Sequence, residues 1–335
     1  MESLNAFVLL ANFVLVPGIT YGCQLALGAL GVTLIYSILR FSNFAHGEAM
    51  SFGTMAVILF TWALQSWGVS LGPLPTALLA IPVGILASIF LLLATDKVVY
   101  RFHRAKKASP VILMIASLGV MFFYNGLIRF IITPKDRNFS DGERFIVTAR
   151  EFKTMTGLEQ GLSIKMTQGI TVVITLICVA LLFWFLNKTR TGKSMRAYSD
   201  NENLALLSGI NPDRVVMITW ILVGALVTIA GTLYGLDKSY KPFTYLQLLL
   251  PIFAAAIVGG LGSPLGAIAG GFVIALSEVL VTFAYKRFFG YLIDGFKPDG
   301  LMQLLSTDYK FAVSFTVLVI VLLVRPTGIF KGQTL

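Results

Sequence analysis

Eight apolar stretches, most of them about as long as a lipid bilayer is thick, dominate this 335-residue chain. They fall near 7–39, 49–68, 74–95, 111–132, 168–187, 214–236, 247–284 and 312–324. A helix needs about 20 mostly apolar residues to cross the hydrocarbon core. These runs lack the ten-residue alternation of a membrane β-barrel, so α-helices are the spanning element. A water-soluble fold is excluded, because 56% of the residues are hydrophobic and 13% charged, against about 25% charged in ordinary soluble domains. A core of this chain length cannot hide so much apolar surface. The expected fold is therefore all-α: a polytopic helical bundle of eight or nine transmembrane segments, forming one domain over 1–335.

Two runs do not fit a single straight span. The first holds Pro17-Gly18, which predicts a short interfacial segment followed by a crossing from about Gly18 to Leu39. The seventh has Gly259-Gly260-Leu261-Gly262-Ser263-Pro264 at its centre, where glycines and a proline break or bend a helix. It is either two crossings or two half-helices that meet inside the membrane; both return the chain to the same side. Small residues recur at four-residue spacing, as Gly18/Gly22, Gly231/Gly235 and Gly262/Gly266/Gly270. Such spacing lets helix backbones approach closely in lipid. The density of glycine from Gly259 to Gly271 further suggests a broken helix lining a pathway.

A net charge of +10 would suit a nucleic-acid partner only if the cations shared one soluble surface. They are instead dispersed through short loops, where positive charge orients membrane proteins. With residues 1–6 outside, the inside segments carry thirteen lysines and arginines against five acidic residues. The bias is clear in 96–108 and 188–213, so both loops and the C-terminus are expected in the cytoplasm, with the N-terminus periplasmic. No cleavable signal peptide is expected, since the first residues lack a positive n-region. The largest outside segment, 134–167, is read as a small periplasmic loop and not as a second domain, because about 34 residues cannot build a core unaided.

No catalytic constellation is present, and two histidines with two cysteines offer no metal site. Cys23 and Cys178 lie in apolar runs as small hydrophobes. His103 sits among Arg101, Arg104, Lys106 and Lys107 as a solvated loop residue. Asn43, His46 and Glu48 lie together between two spans; a histidine two residues from a glutamate could move a proton, but without a third partner a structural role is preferred. Gly192-Lys193-Ser194 resembles the end of a phosphate-binding loop, yet Asn187 stands where the motif needs glycine and no strand precedes it. No cofactor is expected to bind directly, and ATP is not expected to bind this chain. Glu278 lies inside an apolar run, so it must face the bundle or be paired. It is read either as a pathway residue or as an outer-interface residue paired with Lys286 or Arg287.

The loop 188–213 has the grammar of a short docking helix. Ser199 or Asp200 can cap it, Glu202 or Asn203 falls in its first turn, and Leu204, Ala205 and Leu207 give it an apolar face. Gly209 can end it in the left-handed conformation and Pro212 can open the next span.

At these residues the chain resembles the bacterial ABC-transporter permeases for branched-chain amino acids, the LivH type. Three segments carry the likeness: Leu30 to Glu48, Thr191 to Asn211, and Pro251 to Ala267, with the tail Arg325-Pro326-Thr327-Gly328-Ile329-Phe330. The resemblance implies an inner-membrane permease subunit that pairs with a second permease, two cytoplasmic ATPases and a periplasmic solute-binding protein. It implies a coupling helix around Ser199, Asp200, Glu202, Ala205, Leu207 and Gly209. The translocation pathway is expected at Asn43, His46, Glu48, Gly259, Gly260, Gly262, Ser263 and Glu278. The segments 134–167 and 285–310 are longer than the family pattern leads one to expect. The motifs do not separate hydrophobic amino acids from urea or short amides, and a stand-alone channel or ion-coupled carrier using Glu278 is the competing class.

Overall fold

A computed structural model describes residues 2–139, 141–292, 300 and 302–330. Ser140 and, within the segment 285–310, residues 293–299 and 301 thus lie outside the described residues. The first half of the chain forms α1 (Glu2–Leu39), α2 (His46–Ser66), α3 (Ala77–Ala105), α4 (Pro110–Ile132), the short α5 (Ala149–Thr156) and α6 (Met166–Lys188). The second half forms two short helices, α7 (Arg190–Asp200) and α8 (Glu202–Leu207), then α9 (Pro212–Lys238), α10 (Pro242–Gly259), α11 (Pro264–Thr282), α12 (Lys286–Leu292) and α13 (Lys310–Val324). Among the described residues, nine helices are long and apolar enough to cross a membrane. The chain is a multi-pass membrane protein.

Two sequence expectations need correction. Pro17 does not interrupt the first span: α1 runs unbroken, and a π-turn at Ala11–Leu15 hands over to α-helix at Val16, which leaves the proline at a helix start where no N–H is required. The segment 96–108 is not mainly loop either. α3 continues through a π-turn at Asp96–Tyr100 to Ala105, because Asp96 is held by the Arg104 guanidinium at 2.5 Å and by the Trp220 indole N–H at 2.8 Å.

The centre of the bundle is α1, wrapped by α9, α10 and α11 with α6 on the remaining side; α2 packs on α9, α3, α10 and α4. Small residues set these distances. Gly271 of α11 lies against the Ala26 backbone of α1, and Gly22 of α1 lies under the Phe272 ring. Gly259, Gly266 and Gly270 bring α10 and α11 into backbone contact; a Cβ on Gly259 would run into the Gly266 carbonyl. Gly262 is not part of that stripe: it sits in the turn, at φ +88°. By contrast α4, α6 and α13 present exposed apolar faces, such as Phe122, Leu176 and Leu323, as lipid-facing helices do.

With the nine candidate spans alternating, Arg40, 106–109, 189–211, 260–263 and the tail 325–330 fall on one face, here called the connector face. The opposite, cap face holds 133–165. There β1 (Phe145–Val147) pairs antiparallel with β2 (Ile164–Lys165), and α5 stands on a capping box in which Thr148 and Glu151 satisfy each other's backbone N–H groups.

Candidate functional site

The segment between α1 and α2 is the most unusual backbone in the membrane region. The chain leaves α1 at Arg40 in the left-handed conformation, φ 58° and ψ 29°. It then turns back into the bundle. His46, the first residue of α2, has its Nε2 3.0 Å from the Gly28 carbonyl oxygen. Gly28 lies eleven residues before the end of α1, about 16 Å along the axis, which is roughly half the depth of a ~30 Å hydrocarbon core. So α2 begins near mid-membrane, and residues 41–45 are irregular backbone leading from the connector face to that depth.

Such backbone survives only where protein satisfies it, and side chains supply partners for the Phe44 and Ala45 N–H groups. Asn43 Oδ1 accepts the Ala45 backbone N–H and the Tyr100 hydroxyl, both at 3.1 Å. The Phe44 N–H donates to Ser117 Oγ at 3.0 Å. Phe41 packs on Tyr100, which stacks on Trp220 with ring centroids 5.5 Å apart. Because a carbonyl can only accept, His46 Nε2 carries the ring proton. Glu48, one turn into α2, is fully buried. Its Oε1 accepts from the Asn125 amide at 2.8 Å, while Oε2 and His46 Nδ1 have no partner among the described residues. Asn43, His46 and Glu48 are thus brought together, as their spacing suggested. Asn125 and Ser117 were missed; their only signal was a polar letter inside the run 111–132.

Glu278 belongs to a different place. It faces a cavity of about 410 Å³ on the cap-face side, lined by Tyr21, Tyr234, Asp237, Lys238, Gln247 and Lys310 among others. Ser314 of α13 donates to its carboxylate; neither Lys286 nor Arg287 forms an ion pair with it among the described residues, so the outer-interface pairing is set aside. Glu278 Oε2 and the Tyr21 hydroxyl are buried and line the same cavity. Asp237 meets Lys238 at 3.3 Å on the rim. The cavity therefore offers acceptors, donors, carboxylates and ammonium groups within one volume, the chemistry that a small zwitterion requires.

Gly259, Gly260, Gly262 and Ser263 are at neither location. They form the tight turn between two complete helices, with Gly260 at φ +110° and Ser263 Oγ capping α11 through the Gly266 N–H at 3.1 Å. Glu278 is fourteen residues further along α11, about 21 Å away. The tail lies on this turn, with the Ile329 and Phe330 N–H groups donating to Val258 and Gly259 carbonyls at 2.9 and 3.0 Å. Gly262 and Pro264 share a small cavity with Ser199 and Asp200, so the turn is part of the connector face and not of a half-helix pair at mid-membrane.

On that face a short helix forms where the sequence suggested one, with a different cap. Thr189 caps α7, which runs through Ser199 to Asp200; Asn201, in extended conformation, breaks the helix and caps α8 by accepting the Leu204 N–H at 3.0 Å. Gly209 ends α8 at φ +78°, with the Ile210 N–H returned to the Ala205 carbonyl. Asn211 and Pro212 open α9. The Glu202 carboxylate accepts the Tyr198 hydroxyl at 2.7 Å; burial and then this carboxylate push the Tyr198 phenol above its ordinary range, so it stays a donor. Ala205 is buried against its own chain, and the surface presented outward is Leu204, Leu206 and Leu207, the last 85% exposed. Leu204 was read only as part of the apolar face, and Leu206 was missed. One further contact joins the two regions: the Arg40 guanidinium donates to the Ser199 carbonyl.

The family described as "Branched-chain amino acid transport system / permease component" matches residues 14–322. The chain is 30% identical over 321 residues to the high-affinity branched-chain amino acid transport system permease protein LivH of Salmonella typhimurium, covering 93% of this chain and 92% of that one. It is 28% identical over 324 residues to the permease protein BraD of a system of the same description in Pseudomonas aeruginosa, covering 94% of each. A probable branched-chain amino acid transport permease of Methanocaldococcus jannaschii is 30% identical over 321 residues, covering 95% of this chain and 92% of that one.

Proposed function

Since this chain belongs to the family of branched-chain amino acid transport permeases, we propose that it carries branched-chain and other hydrophobic amino acids across the inner membrane as one half of an ABC importer's pore. The second half is another permease subunit, alike or related. Two ATPase subunits sit on the connector face, which is the cytoplasmic one, and a solute-binding protein delivers cargo to the cap face. ATP binds to the partners alone.

The observation that carries the coupling part of this reading is the Arg40–Ser199 contact. α8 presents Leu204, Leu206 and Leu207 as an apolar knob for a groove on an ATPase. Behind the knob, Ser199 is tied through Arg40 to residues 41–45 and so to the mid-membrane start of α2. A shift of α7 and α8 between two docked positions therefore reaches the segment that leads to the buried break through one hydrogen bond. The cargo's ammonium and carboxylate are received in the Glu278 cavity, where Glu278 and Lys310 offer opposite charges.

The test is leucine uptake by proteoliposomes holding the full complex. Uptake requires ATP and the ATPase subunits, and Leu207→Asp lowers it roughly tenfold while ATPase activity persists. Nucleotide-free uptake by this chain alone would instead establish a stand-alone carrier, and competition by urea or acetamide but not by isoleucine would move the cargo to the amides. Cysteines placed at Ser208 and Lys153, with Cys23 and Cys178 replaced, should label from opposite sides of the membrane; same-side labelling overturns the topology.

A further inference from the structure

α3 and α4 both pack on α2, but toward their connector-face ends they part and leave an open apolar groove of about 530 Å³. Its walls are Leu91, Thr95 and Val98 on α3 and Gly119, Val120 and Phe123 on α4. Val98 and Phe123 are exposed, at 76% and 64%. The one polar group, the Thr95 hydroxyl, is already bonded to the Leu91 carbonyl and the Tyr124 hydroxyl. Nothing in the groove can reward a polar ligand.

The mouth of the groove is the opposite. The stripe Leu91–Thr95–Val98 continues to Phe102, and the Lys106 ammonium lies 4.1 Å above that ring. Lys106 and Lys107 form the turn that joins the two helices. The nearby carboxylates are committed elsewhere, Asp96 to Arg104 and Trp220, Asp213 to Arg101. Neither lysine has an ion-pair partner among the described residues. From Leu91 to Ala105 is fourteen residues, about 21 Å, and one bilayer leaflet with its headgroup region is about 20–22 Å thick.

We propose that this groove is a binding site for one anionic phospholipid, with an acyl chain between α3 and α4 and the phosphate at Lys106 and Lys107. The apolar slot from Leu91 to Val99, the exposed stripe that continues it through Phe102, and two unneutralised ammonium groups at the interface follow one another in the charge order of a lipid. A partner helix would match the slot but leaves those charges unanswered. The site is separate from the Glu278 cavity and from the docking knob, so it stands whichever cargo the permease carries.

The experiment is native mass spectrometry of the purified full chain, titrated with phosphatidylglycerol and with phosphatidylcholine of the same chains. The wild type should retain one phosphatidylglycerol with a preference of about 25-fold, roughly fivefold for each lysine. Lys106→Gln with Lys107→Gln should bring the preference close to unity, whereas Lys153→Gln on the cap, a control for net charge, should leave it unchanged. Gly119→Leu should lower retention of both lipids without unfolding the chain, because a Cβ there meets nothing within 4 Å. The proposal is overturned if the wild type shows no headgroup preference, if the double lysine variant keeps it, or if Gly119→Leu retains lipid normally. Loss of a second permease copy from Gly119→Leu, with lipid retention intact, would mark the groove as a protein interface.

Discussion

Two places in the membrane region break a helix, and they do so by opposite means. At 260–263 the chain reverses on glycine conformations that other residues rarely adopt, and it reverses at a surface, between complete helices. At 41–45 there is no glycine at all. The backbone instead enters the bundle and is held there by side chains from elsewhere: Ser117, Tyr100 and its own Asn43. Glycine content reports where a chain can turn sharply; it does not report where a turn lies in depth. Depth depends on whether distant residues satisfy the exposed N–H and C=O groups, and that information is spread over three helices.

This contrast can be broken experimentally. Gly259→Leu should have the largest effect: its side chain meets the Gly266 backbone, α10 and α11 must part, and folded protein should be lost, a cost of about 3 kcal/mol or more. Recovery of normal yield and melting temperature would refute the backbone-contact account of the turn. Asn43→Ala should come next. It strips partners from the Ala45 N–H and the Tyr100 hydroxyl, at about 2–3 kcal/mol, visible as a lower melting temperature in detergent and as reduced uptake. Ser117→Ala removes the acceptor of the Phe44 N–H alone and should cost about 1–2 kcal/mol. If Asn43→Ala and Ser117→Ala together cost no more than either alone, the two act as one unit; if neither has an effect, the mid-membrane segment is not held as described.

The smallest effect lies on the cap face, away from both breaks. Burial acts to raise the Asp141 carboxyl, but hydrogen bonds from Thr76 and Gln65 outweigh it and hold the group below the usual carboxylate range. A lowered carboxylate stabilises the fold above its ordinary pKa and loses that contribution as pH falls through the folded value. The cap should therefore be unchanged from neutral pH down to about pH 5 and become more open to proteolysis at lower pH. Asp141→Asn should remove that acid sensitivity, and an acid profile identical in both proteins would contradict the tie between the cap and the start of α3.

Much of this was legible in the letters. The spans were visible because twenty apolar residues in a row have no other physical use, and the short helix α8 because Gly209 and Pro212 are punctuation with a mechanism. The joining of Asn43, His46 and Glu48 was legible from proximity alone. The depth of that cluster was not, since Phe41-Ser42-Asn43-Phe44-Ala45 spells an ordinary connection. Nor was the cap of α8 at Asn201: Ser199 and Asp200 have the same capping chemistry, and only the packing of α7 decides which residue leaves the helix. The cavity at Glu278 was half visible. A buried carboxylate announces itself, but Tyr21, Lys310 and Ser314 come from helices nearly three hundred residues apart in the chain.

What the amino-acid order determined by itself is local and one-dimensional: which stretches enter lipid, which side the positive loops favour, and where the chain can cap or turn. What only the tertiary structure decided is depth and adjacency, which put α2's first residue against Gly28 and the glycine turn beside Ser199. The physical reason is that hydrophobicity and backbone propensity act on neighbours along the chain, whereas a buried polar group is tolerated only when a partner from another helix arrives to meet it.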